Sequence, residues 1–226
     1  MNKKKYLGLG FGRLMFALLS VFVISVCGLL SKQAYVETAV SAFSVVMLMY
    51  LVEGKRTGCF FGVVYCVFYA AVCYSKDLYG LMVFNLIVAL PMYILSLFTW
   101  KKHKHGDTVS VRRLHPKQLG LVLVAALAGF GFAYLILKAV GSFNAFFDGL
   151  TLSLAAFGTL LLSLRYVEQW YFNLSANIVV LILWMIATAA DMSNLNFVIC
   201  SFVFVVSNIM ALVSWLKMER IQKIDA

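Results

Sequence analysis

Long apolar stretches alternate with short polar breaks along almost the whole chain. Eight of these stretches are long enough to cross a bilayer, at 14–30, 34–52, 57–74, 79–99, 118–137, 143–164, 169–190 and 195–216. An α-helix rises about 1.5 Å per residue, so roughly 20 residues match a hydrocarbon core about 30 Å thick. The pattern therefore predicts an all-α polytopic membrane protein, with eight transmembrane helices in a single transmembrane domain over residues 1–226.

The composition supports this prediction. Hydrophobic residues make up 63% of the chain, charged residues only 12%, and the mean hydropathy is +0.94. These values are far from those of an ordinary soluble domain. The longest polar stretch, 101–117, is too short to bury a core of its own. We therefore expect the function to lie among the helices or at their ends.

The net charge of +10 is distributed unevenly between the two sides of the predicted membrane domain. If the chain crosses at each span, 16 of the 19 basic residues fall on the side of both termini, and only Lys32, Lys76 and Lys138 fall on the other. Basic loops favour the cytoplasmic side, so both termini are predicted to be cytoplasmic. The positive charge is thus explained as a determinant of topology in the lipid bilayer, with attraction of the basic loop 101–117 to anionic lipid as the alternative role, and we expect no nucleic-acid partner.

A weak internal repeat divides the eight spans. A shift of 115 residues places Trp100 on Trp215 and Lys102 on Lys217, near the ends of the fourth and eighth spans. The shift groups the spans into a first three-helix bundle (34–99), a linker helix (118–137) and a second three-helix bundle (143–216). An extra N-terminal helix (14–30) precedes them. Three plus one plus three helices in parallel repeats is the arrangement of full-length SWEET-type sugar uniporters.

The predicted spans carry no Asp, Glu, Lys, Arg or His near their middles. A proton-coupled carrier normally needs a buried titratable group, and hydrolytic chemistry needs a nucleophile with its base. The three histidines, His103, His105 and His115, lie in a basic loop whose cations would repel a metal ion. We therefore expect no enzyme activity, no catalytic residues, no cofactor and no metal site.

Neutral polar and aromatic residues remain as candidates for a binding site. In the seventh span they recur at i, i+3, i+7 and i+14, which is one helix face. Indole and phenol rings would stack a flat ligand, and amides would orient it by hydrogen bonds. Interhelical hydrogen bonds and aromatic packing are the alternative roles. The candidate substrate-binding residues are Trp170, Asn173, Asn177, Trp184, Asn85, Tyr69, Tyr65 and Tyr93.

The segment 168–177, Glu-Gln-Trp-Tyr-Phe-Asn-Leu-Ser-Ala-Asn, resembles the signature of the PnuC vitamin transporters. In that family a Glu or Gln, a Trp, a second Trp three residues on and an Asn four further line the substrate site. Further similarity lies in Gly54-Lys55-Arg56, Tyr79, Asn85 and Trp100-Lys101. The resemblance covers roughly residues 34–216. Asn173 departs from it, because it stands where the family has its second Trp.

The resemblance implies a homotrimer in the bacterial cytoplasmic membrane. It also implies uptake of a vitamin precursor, most often nicotinamide riboside, by facilitated diffusion (uniport), with a cytoplasmic kinase trapping the substrate by phosphorylation. The departure at Asn173 leaves thiamine, riboflavin or another nucleoside-like vitamin as alternatives. A substrate-capture subunit of an ATP-driven importer is a further alternative. A membrane enzyme or an assembly subunit fits the residues less well.

Overall fold

The computed structural model describes residues 5–6, 9–30, 35–75, 79–141, 144–190 and 195–224. Its helices are α1 Phe11–Leu30, α2 Tyr35–Val52, α3 Arg56–Ser75, α4 Tyr79–Val83, α5 Leu90–Lys102, α6 Pro116–Ala139, α7 Ala145–Ser163, α8 Gln169–Ala190 and α9 Leu195–Ile224. Within these ranges eight helices are long and apolar enough to cross a membrane, which confirms the eight predicted spans. Positions 34 and 143, where two predicted spans begin, lie outside the described residues, as do Lys32 and Lys76.

Several helices extend beyond their predicted spans, and at α6 and α9 a local reason is visible. Helix α6 begins at Pro116, where His115 Nδ1 accepts from the Lys117 amide and the Gln118 side chain accepts from the His115 amide. This capping box satisfies free amides at the helix start, where proline is also favoured. Helix α9 continues eight residues past the predicted end at 216, to Ile224. Its last turns carry an i,i+4 ion pair between Glu219 and Lys223 of 2.6 Å, which supports helix at the water boundary.

The fourth span contains a π-helical segment at Phe84–Ala89, which joins α4 to α5. The Leu90 amide donates to the Asn85 carbonyl, five residues back. Pro91 follows, and it has no amide to donate and crowds the carbonyl four residues before it. A local π turn widens the helix at that point. We use "fourth span" for Leu81–Lys102, which is one continuous membrane-length helix.

Six helices form a closed ring. Helix α2 contacts α3, α3 contacts α5, α5 contacts α7, α7 contacts α8, α8 contacts α9, and α9 contacts α2. We call α2, α3 and the fourth span the first helix group, and α7, α8 and α9 the second. Helix α6 packs on the outside of α7, and α1 packs against α2 and α9. The core therefore lies inside the ring, while the outer faces of α1 and α6 stay apolar and exposed.

Helices α2 and α7 each end in a turn of the same type. Gly54 (φ 66°) and Arg165 (φ 67°) both adopt the left-handed conformation. The Gly54 amide donates to Leu51 O (2.9 Å) and the Arg165 amide to Leu162 O (3.0 Å). In each turn the next amide reaches the carbonyl five residues back, at 3.0 Å in both cases. These paired bonds define a Schellman C-cap, so the two helix groups share a local backbone feature.

A polar connection crosses the end of the ring where these turns lie. It begins with the hairpin β3 (Lys104–His105) and β4 (Thr108–Val109), and a second short hairpin, β1 (Lys5–Tyr6) and β2 (Leu9–Gly10), precedes α1. The Val109 amide donates to Gly54 O and the Arg112 amide to Arg165 O, both at 2.9 Å. The turns 53–55 and 164–168 and the connection 103–115 together form what we call the basic end. The sequence had indicated only a polar stretch, 101–117, too short to bury a core of its own.

Two buried tryptophans join the helix groups at the basic end. Trp100, near the end of the fourth span, donates its indole N–H to Leu162 O on α7 (3.1 Å). Trp215 on α9 donates in the same way to Leu51 O on α2 (2.9 Å). Their ring centroids are 5.6 Å apart. Each group thus supplies the indole that satisfies a terminal carbonyl of the other.

Candidate substrate cavity

A cavity of about 210 Å³ lies at the centre of the ring. All six ring helices contribute to its lining. The lining residues are Ser44, Met47, Leu48 and Leu51 of α2, Tyr65 of α3, Tyr93 of α5, Thr159 and Leu162 of α7, Gln169, Trp170, Asn173 and Asn177 of α8, and Phe204 and Asn208 of α9. The cavity is therefore enclosed by both helix groups.

A tryptophan cluster closes the cavity towards the basic end. Trp170 lines the cavity and is only 1% exposed. Its ring meets the Trp215 ring edge to face, with centroids 5.8 Å apart, and Trp215 in turn contacts Trp100. Such edge-to-face contacts stabilise beyond the area they bury. A ligand stacked on Trp170 would therefore rest on a rigid floor of three indoles.

The first helix group gives the cavity an aromatic wall. Tyr65 lines the cavity, and Tyr69 stacks on it from behind with a centroid distance of 5.2 Å and an interplanar angle of 11°. Tyr93 reaches the cavity from α5, and its ring lies directly over Gly62 of α3. Stacked aromatic rings of this kind offer flat faces to a ligand ring.

The second helix group gives the cavity an amide wall. Asn177 Nδ2 donates to Asn173 O (2.8 Å), and Asn208 Nδ2 donates to Phe204 O (2.8 Å). Each of these two amides thus donates to its own helix four residues back. Asn208 is 3% exposed, and its Oδ1 makes no hydrogen bond to another protein group. The Asn208 carbonyl oxygen therefore remains as an acceptor at the cavity.

Other buried polar atoms of the lining also lack protein partners. Both side-chain amide atoms of Gln169, which is fully buried, and the indole nitrogen of Trp170 make no hydrogen bond to protein. Leaving a buried donor or acceptor unpaired costs about 1–3 kcal/mol. Buried atoms of this kind call for a partner, which a bound molecule or an ordered water would supply. These atoms comprise two donors and two acceptors, counting Asn208.

The structure brings five of the eight predicted binding residues together at the cavity: Tyr65, Tyr93, Trp170, Asn173 and Asn177. The other three lie outside the lining. Tyr69 packs behind Tyr65. Asn85 lies in the π segment and donates to Leu81 O (2.8 Å), and Trp184 stacks on Phe197 with centroids 4.2 Å apart.

The prediction had omitted two of the polar residues at the cavity, Gln169 and Asn208. Gln169 belongs to the motif segment 168–177, and Asn208 is a neutral amide within the eighth span, so both carried a signal in the sequence. Ser44 and Thr159 were also omitted. Their hydroxyls donate to carbonyls of their own helices, Ser41 O and Ala155 O, which is a common and uninformative role for such residues in helices.

No charged side chain lies among these lining residues, all of which belong to the described part of the chain. Two buried carboxylates, Glu168 and Glu219, and the part-buried Glu53 lie at the basic end instead. Glu53 pairs with Arg13 (2.5 Å), and Glu168 and Glu219 both approach Arg113. Burial lowers the pKa of the Arg165 guanidinium, and the nearby charge of Arg112 lowers it further. These charged side chains thus lie on the far side of the tryptophan cluster from the cavity.

Comparison with known proteins identifies the family. The family model described as "Nicotinamide mononucleotide transporter" matches residues 34–217 of this chain. The chain belongs to this family. The predicted resemblance to the PnuC transporters is thereby confirmed, as is the extent of roughly 34–216 over which it was drawn.

Named relatives agree with this assignment. The nicotinamide riboside transporter PnuC of Neisseria mucosa is 25% identical over 197 residues, covering 84% of this chain and 75% of the relative. The protein of the same name from Haemophilus influenzae is 30% identical over 162 residues, covering 67% and 72%. These relatives are membrane transporters and not enzymes.

A solved structure shows the same fold. It is described as the crystal structure of the vitamin B3 transporter PnuC, and it superposes with a TM-score of 0.81 at 22% identity, covering 95% of this chain and 94% of the other. The all-helical architecture with eight membrane-length helices is thus that of a known transporter.

Proposed function

We propose that this protein carries nicotinamide riboside across the membrane through the central cavity. The observation that carries the proposal is the lining itself, which combines aromatic faces with unpaired amide and indole atoms and holds no charged side chain. Two relatives that bear the name of nicotinamide riboside transporter support the choice of substrate. Trp170, Tyr65 and Tyr93 would stack or face the ring, and Asn173, Asn177, Asn208 and Gln169 would hydrogen-bond its amide and the sugar hydroxyls.

The charge of the ligand supports the riboside over the mononucleotide. Nicotinamide riboside carries one positive charge on its pyridinium ring, and aromatic faces such as that of Trp170 attract cations. The mononucleotide adds a phosphate, whose negative charge would need a cation in place of water. The lining residues provide neither Lys nor Arg.

We further propose facilitated diffusion without an ion gradient. The cavity lining, drawn from the described residues, contains no carboxylate, histidine or lysine that could take up a proton. Net uptake would then depend on removal of the transported riboside from the cytoplasm. A cytoplasmic kinase would remove it by phosphorylation, which adds a charge that the cavity does not accept.

The architecture that we propose is an extra helix, α1, followed by parallel three-helix bundles (34–99 and 143–216) joined by a linker helix (118–137), as in SWEET-type carriers. The matching Schellman turns and the reciprocal indole bonds of Trp100 and Trp215 support it. We also propose that the basic end faces the cytoplasm, in line with the positive-inside rule, and that the protein is a homotrimer in the bacterial cytoplasmic membrane.

Ligand binding to the purified protein tests the substrate. Calorimetry in detergent would compare nicotinamide riboside, nicotinamide mononucleotide, thiamine and riboflavin. We expect nicotinamide riboside to bind at least about tenfold more tightly than the mononucleotide, because the phosphate would be buried without a cation. Preferred binding of thiamine or riboflavin would replace the proposed substrate by that vitamin.

Transport into liposomes tests the mechanism. We expect the purified protein alone to equilibrate radiolabelled nicotinamide riboside across the membrane, with a rate that does not change when a proton gradient is imposed. Accumulation above the external concentration in the absence of a kinase would contradict uniport. Binding without any transport would support the substrate-capture alternative, which requires an ATP-driven partner.

A further inference from the structure

Two glycines lie directly behind the cavity lining, one in each helix group. Gly158 is a buried residue of α7, next to the lining residue Thr159. A Cβ atom added to Gly158 would lie 2.6 Å from Asn173 Oδ1, 2.9 Å from its Cγ and 3.1 Å from its Nδ2. The Asn173 amide therefore occupies the space that any other residue at position 158 would fill.

Gly62 of α3 plays the corresponding part for Tyr93. A Cβ atom at Gly62 would overlap the Tyr93 ring, lying 2.5 Å from Cε1 and 2.7 Å from Cγ. Gly62 is buried, and it is not itself part of the lining, whereas Tyr93 is. The missing side chain of Gly62 thus allows the Tyr93 ring to lie back against α3.

Glycines elsewhere in the helices make contacts of other kinds. A Cβ at Gly28 would meet the side chain of Thr38, which does not line the cavity. A Cβ at Gly58 would lie 2.7 Å from the Leu51 backbone nitrogen and 2.8 Å from Leu51 Cδ2, so Gly58 allows the backbones of α2 and α3 to approach. Gly120 and Gly131 on α6 have no other atoms within 4 Å of a built Cβ. Of these, Gly62 and Gly158 alone have a cavity-lining aromatic or amide side chain in the place of their missing Cβ.

We propose that Gly62 and Gly158 are positioning residues that set the width of the cavity, and hence the ligands it accepts, by holding Tyr93 and Asn173 back from its centre. The inference rests on the proposed function only for the choice of probe ligand. Side chains at these positions would push a rigid ring, or an amide with two rotatable bonds, towards the ligand. Real Cβ atoms do not approach other atoms this closely, and overpacking of this kind costs binding space or stability.

Binding by a set of variants tests the proposal. We expect Gly158→Ala to weaken the binding of nicotinamide riboside about tenfold or more, and Gly131→Ala to leave it unchanged. In an Asn173→Ala background, the further change Gly158→Ala should have no effect, because the group that it displaces is gone. Equal losses from Gly158→Ala in both backgrounds would overturn the positioning role.

Stability separates the positioning role from simple packing. Gly58→Ala should lower the melting temperature in detergent whatever residue lies at 173, because it meets backbone. If Gly158→Ala fails to fold, the double variant with Asn173→Ala should fold, and failure of both would contradict the proposal. The pair Gly62→Ala and Tyr93→Ala should behave in the same way. Gly62→Ala alone should have a larger effect on binding and stability than Gly158→Ala alone, because the Tyr93 ring is rigid.

A measurement without ligand keeps this inference separate from the proposed substrate. In an Asn177→Cys variant, we would measure the labelling rates of methanethiosulfonate reagents of increasing size, with the modified cysteine located by mass spectrometry. Adding Gly158→Ala should slow the larger reagents more than the smallest one. If the wild-type protein does not bind nicotinamide riboside, the substrate proposal fails, and the labelling rates still test whether Gly158 sets the cavity width. Equal labelling rates for all sizes would overturn the width-setting role.

Discussion

The two helix groups around the cavity share a backbone framework but line the cavity with different chemistry. Both α2 and α7 end in a Schellman turn, and both terminal carbonyls accept an indole N–H from the opposite group. The first group lines the cavity with aliphatic residues, one serine and two tyrosines. The amides and the indole come only from the second group.

Positions related by the proposed 115-residue repeat illustrate the difference. Tyr93 and Asn208 are 115 residues apart, like Trp100 and Trp215, and both line the cavity. Gly62 and Asn177 are also 115 residues apart. Both tryptophans bridge the two groups through an indole hydrogen bond, whereas Tyr93 and Asn208 differ in chemistry. A ligand would accordingly be packed from one side and recognised by hydrogen bonds from the other.

The largest effect that we expect comes from Trp170, the cavity-lining indole of the second helix group. Trp170→Ala should weaken binding of nicotinamide riboside at least about 30-fold, because a buried aromatic anchor is worth about 2 kcal/mol or more. Trp184→Ala, on the same helix but outside the cavity, is the matched control and should change affinity little. Calorimetry would measure both, and equal losses would return Trp184 to the site.

The corresponding positions Tyr93 and Asn208 test the division between the walls. Asn208→Ala should weaken binding by about 1–3 kcal/mol, since it removes a buried acceptor that has no protein partner. Tyr93→Phe removes only a hydroxyl and keeps the ring, so we expect a loss of about threefold or less. A larger loss for Tyr93→Phe than for Asn208→Ala would reverse the assignment of the polar wall.

The two tryptophans test the shared framework. Trp100→Phe and Trp215→Phe should each lower stability by about 1–3 kcal/mol, because each removes a buried hydrogen bond between the helix groups and part of the packing of the indole. The two losses should be similar if the helix groups are related by a repeat. Melting in detergent would measure them, with Trp184→Phe as a control. A loss confined to one variant would show that the two hydrogen bonds are not equivalent.

The smallest effects are expected at the Schellman turns. Gly54→Ala should destabilise by about 1–2 kcal/mol, because a residue with a Cβ is disfavoured in the left-handed conformation. Arg165→Gly should change stability little. Glycine adopts the left-handed conformation without strain, and this gain offsets the loss of the hydrogen bond from Arg165 Nη1 to Ser110 O (3.2 Å). The same melting experiment would compare the two. A large loss for Arg165→Gly would mean that its side chain, and not the turn, dominates.

The spans could be predicted from the residues alone, because the length of an apolar helix is fixed by local composition and by the thickness of the bilayer. The sequence also determined that the centre of the bundle is uncharged, since the spans carry no charged residue near their middles. The stripe of Trp170, Asn173 and Asn177 faces the cavity as the helical period required.

Which polar residues meet at the same level of the bundle depends on how the helices pack against one another. Trp184 lies on the same helix face as Trp170 but about 21 Å further along the axis, beyond the cavity. Asn85 falls in a π turn, which changes the face that its neighbours present. Asn208 joins the site because α9 packs beside α8. Helix periodicity gives a direction around the axis, whereas depth and neighbours depend on how the helices pack.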